Sequence, residues 1–197
     1  MISKRLFDIF FSIVGLTILL PLFLIIALVI AIESRGGVFY LQNRVGKNNI
    51  DFKLYKFRTM FINSDKAGLI TVGMRDSRIT KVGYMLRKYK FDELPQLLNV
   101  LQGSMSFVGP RPEVRKYVEL YNDTQLKVLK VKPGITDYAS IEYSNENELL
   151  GNASDPDQLY VEVIMPAKLS LNLKYIDEIS IATDVKLILQ TIKKIVS

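Results

Sequence analysis

The chain has 197 residues, with 26 Lys and Arg against 20 Asp and Glu, and its formal net charge is +6. It contains neither Cys nor His, which excludes disulfides, thiolate nucleophiles, imidazole bases and metal sites built from those residues. Catalysis would therefore use carboxylates, Lys, Arg or hydroxyl groups. A metal site would be built from oxygen ligands, which suit Mg²⁺, Mn²⁺ or Ca²⁺.

The first feature along the chain is an uncharged apolar run of 24 residues, from Ile9 to Ile32. As a straight helix it would be about 36 Å long, enough to cross a hydrocarbon core of about 30 Å. Pro21 lies at its middle, where it removes a backbone donor and favours a bend. Basic residues flank both ends, whereas a spanning helix normally concentrates them on one side. Two interpretations remain open, a single span and a re-entrant hairpin.

The positive charge is concentrated in the middle of the chain, because residues 34–132 hold 19 Lys and Arg against 8 Asp and Glu. Such an excess predicts a surface that faces a phosphate, a nucleic acid or an anionic membrane. Segments 38–42 and 52–58 have strand-like patterns, and the turn residues between them predict a β-hairpin. The basic residues of the second strand, among them Lys56 and Arg58, either hold a phosphate or form an ordinary exposed face.

The most informative segment is residues 91–104, in which four Leu share one face of a predicted helix. Pro95 suits the first turn of that helix, and Gly103 suits its C-terminal cap. Asp92 and Glu93 would then lie at the helix N-terminus, where the dipole should keep Asp92 ionised. A lone Asp at this position is most often only a cap. Two adjacent carboxylates among so many cations instead indicate a metal-assisted phosphate site.

Two later turns carry candidate contacts. Pro110 and Pro112 fix a stiff turn that presents Arg111, which either grips a phosphate or is exposed on a rigid connector. Asp155 and Asp157 match an Asp-x-Asp pattern that many nucleotide-sugar transferases use to hold a metal. Their context, with a Pro between them and a helical segment following, indicates a helix cap instead.

The last segment, residues 184–196, has apolar residues at helical spacing with Lys mostly off that stripe. The pattern predicts either an interfacial amphipathic helix or a C-terminal helix docked on the core.

Six features in a fixed order resemble those of the bacterial sugar transferases, and specifically of the monotopic phosphoglycosyl transferases, which start glycan assembly on a polyprenyl phosphate. They are the apolar run with its central Pro and the segments 55–60, 78–83, 92–101, 105–112 and 132–136. The resemblance covers nearly the whole chain. We therefore expect an α+β fold in which residues 1–35 form a re-entrant helix–break–helix anchor. Residues 36–197 would form a cytosolic catalytic domain with a β-hairpin, several helices and amphipathic helices at the membrane surface.

The resemblance also implies roles for individual residues. Asp92 is the nucleophile, Glu93 is associated with Mg²⁺ together with Asp92, and Arg87 lies at the substrate phosphates. Asp92 would attack the sugar-linked phosphorus of a UDP-sugar and release UMP. Undecaprenyl or another polyprenyl phosphate would then take the phosphosugar from Asp92.

Further substrate contacts follow from the same resemblance. The turn of Pro110, Arg111 and Pro112 helps to form the nucleotide site. The basic pattern of the second strand adds Lys56 and Arg58 as expected substrate contacts. The partners are then a UDP-sugar, a polyprenyl phosphate and membrane lipids, with no nucleic acid. The expected location is the cytoplasmic face of the bacterial inner membrane.

Two departures from the family pattern leave the sugar open. Family members often have Ser before the central Pro, where this chain has Leu20. Many continue the segment 132–136 with Gly-Trp-Ala-Gln, where this chain has Asp-Tyr-Ala-Ser at residues 137–140.

Two competing functions also remain open. One is a membrane-anchored nucleic-acid binder, which would leave the Asp92–Glu93 pair unexplained. The other is a glycosyltransferase that moves only the sugar and releases UDP.

Overall fold

The computed structural model describes residues 2–62, 64 and 76–196, and this part of the chain has a mixed α+β fold. The elements in chain order are α1 (Ile2–Glu33), β1 (Phe39–Val45), β2 (Asp51–Phe57), α2 (Lys81–Lys88), α3 (Gln96–Gln102), β3 (Ser106–Val108), α4 (Arg115–Val118), β4 (Gly134–Thr136), α5 (Tyr138–Glu142), α6 (Glu146–Gly151), α7 (Pro156–Leu159), α8 (Met165–Asp177) and α9 (Ile181–Val196). Short 3₁₀ turns occupy Lys47–Asn49, Phe91–Glu93 and Gln125–Lys130, and a π-helical turn occupies Tyr160–Ile164.

The predicted β-hairpin is confirmed. Strands β1 and β2 pair antiparallel, with Phe39 opposite Phe57 at one end and Val45 opposite Asp51 at the other. The chain reverses through Asn48 and Asn49, which both adopt positive φ, a backbone region that Asn tolerates better than most residues. The hairpin carries Lys56 on β2 toward the segment that contains Asp92.

A second, parallel pair is formed by β3 and β4, with Ser106 opposite Gly134 and Val108 opposite Thr136. The two backbone segments approach so closely beyond β3 that a Cβ atom on Gly134 would lie 2.1 Å from the Gly109 nitrogen. Because the carboxyl ends of parallel strands meet at one edge, this pair brings the turn after β3 beside the residue after β4. Arg111 and Asp137 become neighbours in this way.

Helix α1 is long and apolar enough to cross a membrane. Only 11% of the residues in its most apolar stretch of 18 residues are buried. It continues as one helix through Pro21, so the expected break does not appear as an interruption of the helix. The re-entrant hairpin therefore stays a prediction. The exposed apolar surface of α1 is what a membrane-anchoring segment requires.

The N-terminal end of α1 is bound to the rest of the chain by buried polar contacts. Lys4 forms an ion pair with Asp184 of α9. The Asp8 carboxylate accepts from the Phe107 backbone N–H and from the Ser106 hydroxyl, both at 3.1 Å. These bonds hold the first turns of α1 against β3 and α9.

The C-terminal half of α1 packs on the same domain. Ile26 and Ile30 are buried in one cluster with Phe57 of β2 and Leu86 of α2. Both ends of the apolar helix therefore contact the part of the chain that contains Asp92.

Helix α9 docks on the core along one face and leaves another face uncovered. Leu187 is fully buried beside Val108 and Tyr175. Val185, Leu189 and Ile192 are exposed. The docking that we considered is confirmed, and the exposed stripe retains the pattern of an interfacial helix.

Candidate active site

Asp92 was expected at the N-terminus of a helix, but it lies in the separate 3₁₀ turn Phe91–Glu93, four residues before α3 begins at Gln96. Pro95 has no N–H and cannot donate to the Phe91 carbonyl. The preceding turn therefore closes with i→i+3 bonds, such as Leu94 N–H to the Phe91 carbonyl at 3.3 Å. The predicted C-terminal cap is confirmed, because Gly103 adopts φ 93° there.

The Asp92 side chain is buried, with 8% of the residue exposed. It has no hydrogen-bond partner among residues 2–62, 64 and 76–196. Burial raises its pKa, and neighbouring Glu93 raises it further, while the charges of Lys56 and Arg87 act in the opposite direction. The shift is thus opposite to the one that we expected from a helix dipole. A buried carboxylate that lies among cations and has no hydrogen-bond partner within the described residues is a candidate nucleophile.

Glu93, by contrast, is paired with two cations. Its Oε1 atom accepts from Lys56 Nζ at 3.1 Å. Arg111 binds both carboxylate oxygens, with Nη1 3.1 Å from Oε2 and Nη2 on Oε1. Burial alone would raise the pKa of Glu93, but Arg111 and Lys56 together hold it well below its usual value. Glu93 therefore stays ionised and fixes two cations beside Asp92.

The two cations reach Glu93 from different elements. Lys56 comes from β2, and burial lowers the pKa of its ammonium group although Glu93 and Asp92 act to raise it. Arg111 comes from the turn after β3, and its backbone N–H donates to Asp137 Oδ2 at 3.2 Å. Sequence reasoning missed Asp137, although the residue was noted as a departure from the family pattern.

Arg87 stands near the end of α2, a helix that Thr80 caps by accepting from the Gly83 N–H at 2.9 Å. Its half-buried guanidinium makes no hydrogen bond within the described part of the chain. Burial lowers the pKa of Arg87, and Asp92 acts to raise it, so the two groups interact electrostatically. Within the described residues, the donors of Arg87 are not engaged by another side chain or carbonyl and could bind an anion.

The two helices that flank Asp92 are capped by opposite ends of α1. Glu33, in the last turn of α1, accepts from the Val82 N–H at the start of α2 at 3.0 and 3.2 Å. Arg5, near the start of α1, donates to the Val100 and Leu101 carbonyls at the end of α3 at 2.6 and 2.7 Å. In the sequence, the basic flanks of the apolar run, Arg5 among them, were interpreted only as evidence on membrane topology.

Arg58 is not brought to this cluster. Its guanidinium donates to the Ser34 and Arg35 carbonyls at 2.7 and 2.8 Å and to the Ser34 hydroxyl at 3.0 Å. Arg58 therefore closes the C-terminal end of α1. Pro110 and Pro112 are buried on either side of Arg111 and hold its backbone in place.

The second acidic motif serves the cap that its context predicts. Asp155 Oδ1 accepts from the Gln158 N–H at 2.9 Å at the start of α7. Asp157 accepts from Lys116 Nζ at 3.1 Å and from the Tyr117 hydroxyl at 2.7 Å. Both Asp residues are exposed, and their carboxylates are committed to these neighbours.

The donor set around Asp92 fits a divalent cation that arrives with its substrate. No cluster of three or more acidic side chains occurs within the described residues. Mg²⁺ commonly takes one or two carboxylates and completes its octahedron with water and substrate phosphates. The free carboxylate of Asp92 and the Oε2 atom of Glu93, which accepts a single donor, would supply those two ligands.

Comparison with known proteins places this arrangement in context. A family model described as bacterial sugar transferase matches residues 1–197. A UDP-N-acetylgalactosamine-undecaprenyl-phosphate N-acetylgalactosaminephosphotransferase of Aeromonas hydrophila is 38% identical over 98% of this chain and 44% of its own length. A putative undecaprenyl-phosphate N-acetylgalactosaminyl 1-phosphate transferase of Bacillus subtilis is 43% identical over 61% of this chain and 67% of its own length.

A third relative is the UDP-glucose:undecaprenyl-phosphate glucose-1-phosphate transferase of Escherichia coli, which is 35% identical over 97% of this chain. The chain covers 39% of that protein, and it thus spans less than half of two of these three relatives.

Proposed function

Because the chain belongs to the bacterial sugar transferase family, we propose that it moves a sugar 1-phosphate from a UDP-sugar to undecaprenyl or another polyprenyl phosphate and releases UMP. The observation that carries the proposal is Asp92, a buried carboxylate without a hydrogen-bond partner in the described part of the chain. Its paired neighbour Glu93 and the uncommitted Arg87 give the surroundings that phosphoryl transfer needs.

The first step is attack on the donor. A carboxylate oxygen of Asp92 bonds to the sugar-linked phosphorus, and the bond from that phosphorus to the UMP oxygen breaks, so UMP leaves with the electron pair. An ionised carboxylate needs no base to become a nucleophile, which agrees with a chain that has no His. Arg87 would stabilise the negative charge that spreads over the transferring phosphoryl oxygens.

The second step regenerates the enzyme. A phosphate oxygen of the polyprenyl phosphate bonds to the same phosphorus, and the bond to Asp92 breaks. One phosphoanhydride has replaced another, so ATP is not required. Bound Mg²⁺, held by Asp92 and Glu93 together with substrate oxygens, would neutralise phosphate charge. Lys56 and Arg111 would keep Glu93 in position throughout both steps.

The position of α1 supports catalysis at the membrane surface. Its two ends contact one domain, through Asp8 at the start and Glu33 at the end. A straight perpendicular span would carry those ends to opposite faces of the bilayer. We therefore infer a re-entrant α1 with the site on the cytoplasmic face of the inner membrane, where the phosphate of the acceptor lipid lies.

The reaction is tested by incubating the full chain with undecaprenyl phosphate, Mg²⁺ and a panel of UDP-sugars. A panel is needed because the names of the relatives carry different sugars. We expect UMP from one or a few donors. Release of UDP would support a simple glycosyltransferase, and no nucleotide release with tight nucleic-acid binding would support the anchored binder. Without acceptor, intact mass should increase by one phosphosugar, and peptide mapping should place it on Asp92.

The topology is tested separately. Because the chain has no Cys, Ser3→Cys and Gly37→Cys each create a unique thiol near one end of α1. An impermeant thiol reagent should label both sites from the cytoplasmic side. Labelling of the two sites from opposite sides would show a single span.

A further inference from the structure

The outer face of α2 and the turn that follows it are unusually apolar for a surface that leads to a charged site. Four large side chains on this surface are 39–52% exposed: Tyr84, Met85, Tyr89 and Phe91. Lys81, Lys88 and Lys90 are exposed among them. We name these seven residues the α2 ledge. The ledge ends directly at Asp92, the next residue along the chain.

Helix α2 has one face that packs on the domain and one face that is exposed. Val82 and Leu86 pack into the cluster that contains Ile26 and Ile30 of α1. Gly83 faces the Thr59 backbone so closely that a Cβ atom there would lie 2.0 Å from the Thr59 carbonyl oxygen. The inner face therefore fixes α2 on the C-terminal half of the apolar helix. Tyr84 and Met85 are not part of that cluster and are exposed.

The turn after α2 gathers an aromatic pair beside the nucleophile. Lys90 adopts φ 59°, a left-handed conformation that costs free energy for any residue other than Gly. This turn brings the Tyr89 and Phe91 rings to 6.0 Å between centroids, and Lys88 Nζ lies 5.5 Å from the centroid of Tyr89. A backbone conformation that is uncommon for Lys thus brings together the two rings on either side of Lys90, immediately before Asp92 in the chain.

We propose that the α2 ledge is the docking surface for the acceptor lipid, with its first isoprene units on Tyr84, Met85, Tyr89 and Phe91 and its phosphate at Lys88 and Lys90. This inference rests on the proposed function. An isoprenyl phosphate is apolar along its chain and anionic at one end. The ledge has a matching arrangement, because its apolar side chains lie along α2 and Lys88 and Lys90 stand at the end nearest to Asp92 in the chain.

The donor does not fit the ledge as well as the acceptor does. A UDP-sugar has one flat base that can stack on a ring, but its hydroxyls and its two phosphates gain little from aromatic and thioether surface. Its phosphates are already matched by Arg87 and by the cations around Glu93. The ledge also lies on the part of the domain that packs against α1, where an isoprenoid chain would leave the lipid.

The experiment compares the two half-reactions in Tyr89→Ser and Met85→Ser. The donor half-reaction is the single-turnover release of UMP without acceptor, and it should stay within about twofold of the unmodified chain. The KM for undecaprenyl phosphate should rise about tenfold, because each change removes a large apolar contact. The KM for the UDP-sugar should not change.

Leu189→Ser is the matched control, because Leu189 is an exposed apolar residue of α9. It should leave the KM for undecaprenyl phosphate unchanged, whatever it does to sedimentation with vesicles. An equal rise in KM for Leu189→Ser would mean that the ledge is only general membrane surface. A parallel loss of the donor half-reaction in Tyr89→Ser would also overturn the proposal. No UMP release by the unmodified chain would instead remove the proposed function itself.

A direct occupancy test does not depend on turnover. Met85→Cys gives a single thiol on the ledge. Undecaprenyl phosphate in phosphatidylglycerol vesicles should slow its alkylation severalfold, whereas vesicles without it should not. Equal rates in the two vesicle preparations would exclude the ledge as the acceptor site even if every kinetic variant misfolded.

Discussion

The chain carries two short acidic motifs that stand just before helices, Asp92-Glu93 and Asp155-Pro-Asp157, and their surroundings are opposite. Asp92 is buried, uncommitted within the described residues and close to Lys56 and Arg87. Asp155 and Asp157 are exposed and already bonded to the protein. Burial strengthens the interactions of the first motif with cations, while water and salt screen those of the second. Burial and neighbouring charges, more than the short sequence motif, therefore distinguish a candidate reactive carboxylate from a helix cap.

The largest effect should come from Asp92→Asn, which keeps the shape of the side chain and removes the nucleophilic carboxylate. We expect UMP release to fall by at least about 10³-fold and the phosphosugar adduct to disappear. Single-turnover UMP assays and intact-mass measurement check both. Near-normal UMP release by this variant would contradict the covalent mechanism. It would turn attention to Glu93 or to direct transfer between the two substrates.

Glu93→Gln should have the next largest effect, because it leaves Lys56 and Arg111 without their buried counter-charge. Removing one partner of a buried pair costs about 3–5 kcal/mol of folding free energy. Activity should fall by about 100-fold or more, since both cations would lose their positions. Thermal unfolding and UMP release measure the two effects.

Asp51→Asn is the matched control for Glu93→Gln, because Asp51 forms an exposed ion pair with Arg115. Exposed pairs contribute about 0–1 kcal/mol, so its melting temperature should scarcely change. An equal loss of stability in both variants would show that the Glu93 pairs are ordinary surface contacts.

Arg87→Ala should lower the rate of the donor half-reaction by about 100-fold, as expected for the loss of one electrostatic stabiliser of a transition state. Arg87→Lys should recover part of the rate, because it restores a charge without the planar donors. Arg115→Ala, which removes an exposed Arg, should leave the rate unchanged. A harmless Arg87→Ala would place the phosphate site elsewhere.

The pH dependence of the donor half-reaction tests the electrostatic effect of Arg87 on Asp92. Burial raises the pKa of Asp92 in the free enzyme, so the ionised nucleophile is lost as pH falls through that raised value. Because Arg87 lowers the pKa of Asp92, Arg87→Ala should move the acid limb of the donor half-reaction to higher pH. Arg115→Ala should leave the limb in place. A limb that moves to lower pH in Arg87→Ala would contradict this electrostatic assignment.

The features that sequence predicted correctly are local ones. The hairpin, the Gly103 cap and the Asp155 cap each depend on residues that are close along the chain, and their patterns suffice to identify them. The pairing of Glu93 with Arg111 was not predicted, because it depends on how β3, β4 and β2 assemble. The contacts of Arg58 were not predicted for the same reason, since its carbonyl partners lie 23 and 24 residues away.

The largest omission concerns the ends of α1. Arg5 was considered only as a basic flank of an apolar run, and Glu33 was given no role, yet the two residues cap the helices on either side of Asp92. Opposite charges at the two ends were visible in the sequence, but their partners are backbone groups of helix termini that lie 49 and 95–96 residues away along the chain. Long-range caps of this kind follow from tertiary packing and become visible only in the folded chain.

The smallest effect should come from Asp155→Ala, which completes the comparison from the side of the exposed motif. Its carboxylate satisfies one N–H at the start of α7, so its removal should cost about 0.5–2 kcal/mol of folding free energy. UMP release and its Mg²⁺ dependence should stay as they are in the unmodified chain, because no group of the Asp92 cluster depends on this cap. Asp155→Asn serves as the control, since Asn caps helices about as well as Asp and should restore stability. If Asp155→Ala abolished Mg²⁺ dependence while Arg87→Ala did not slow the reaction, the exposed motif would hold the metal. The buried carboxylate would then have only a structural role.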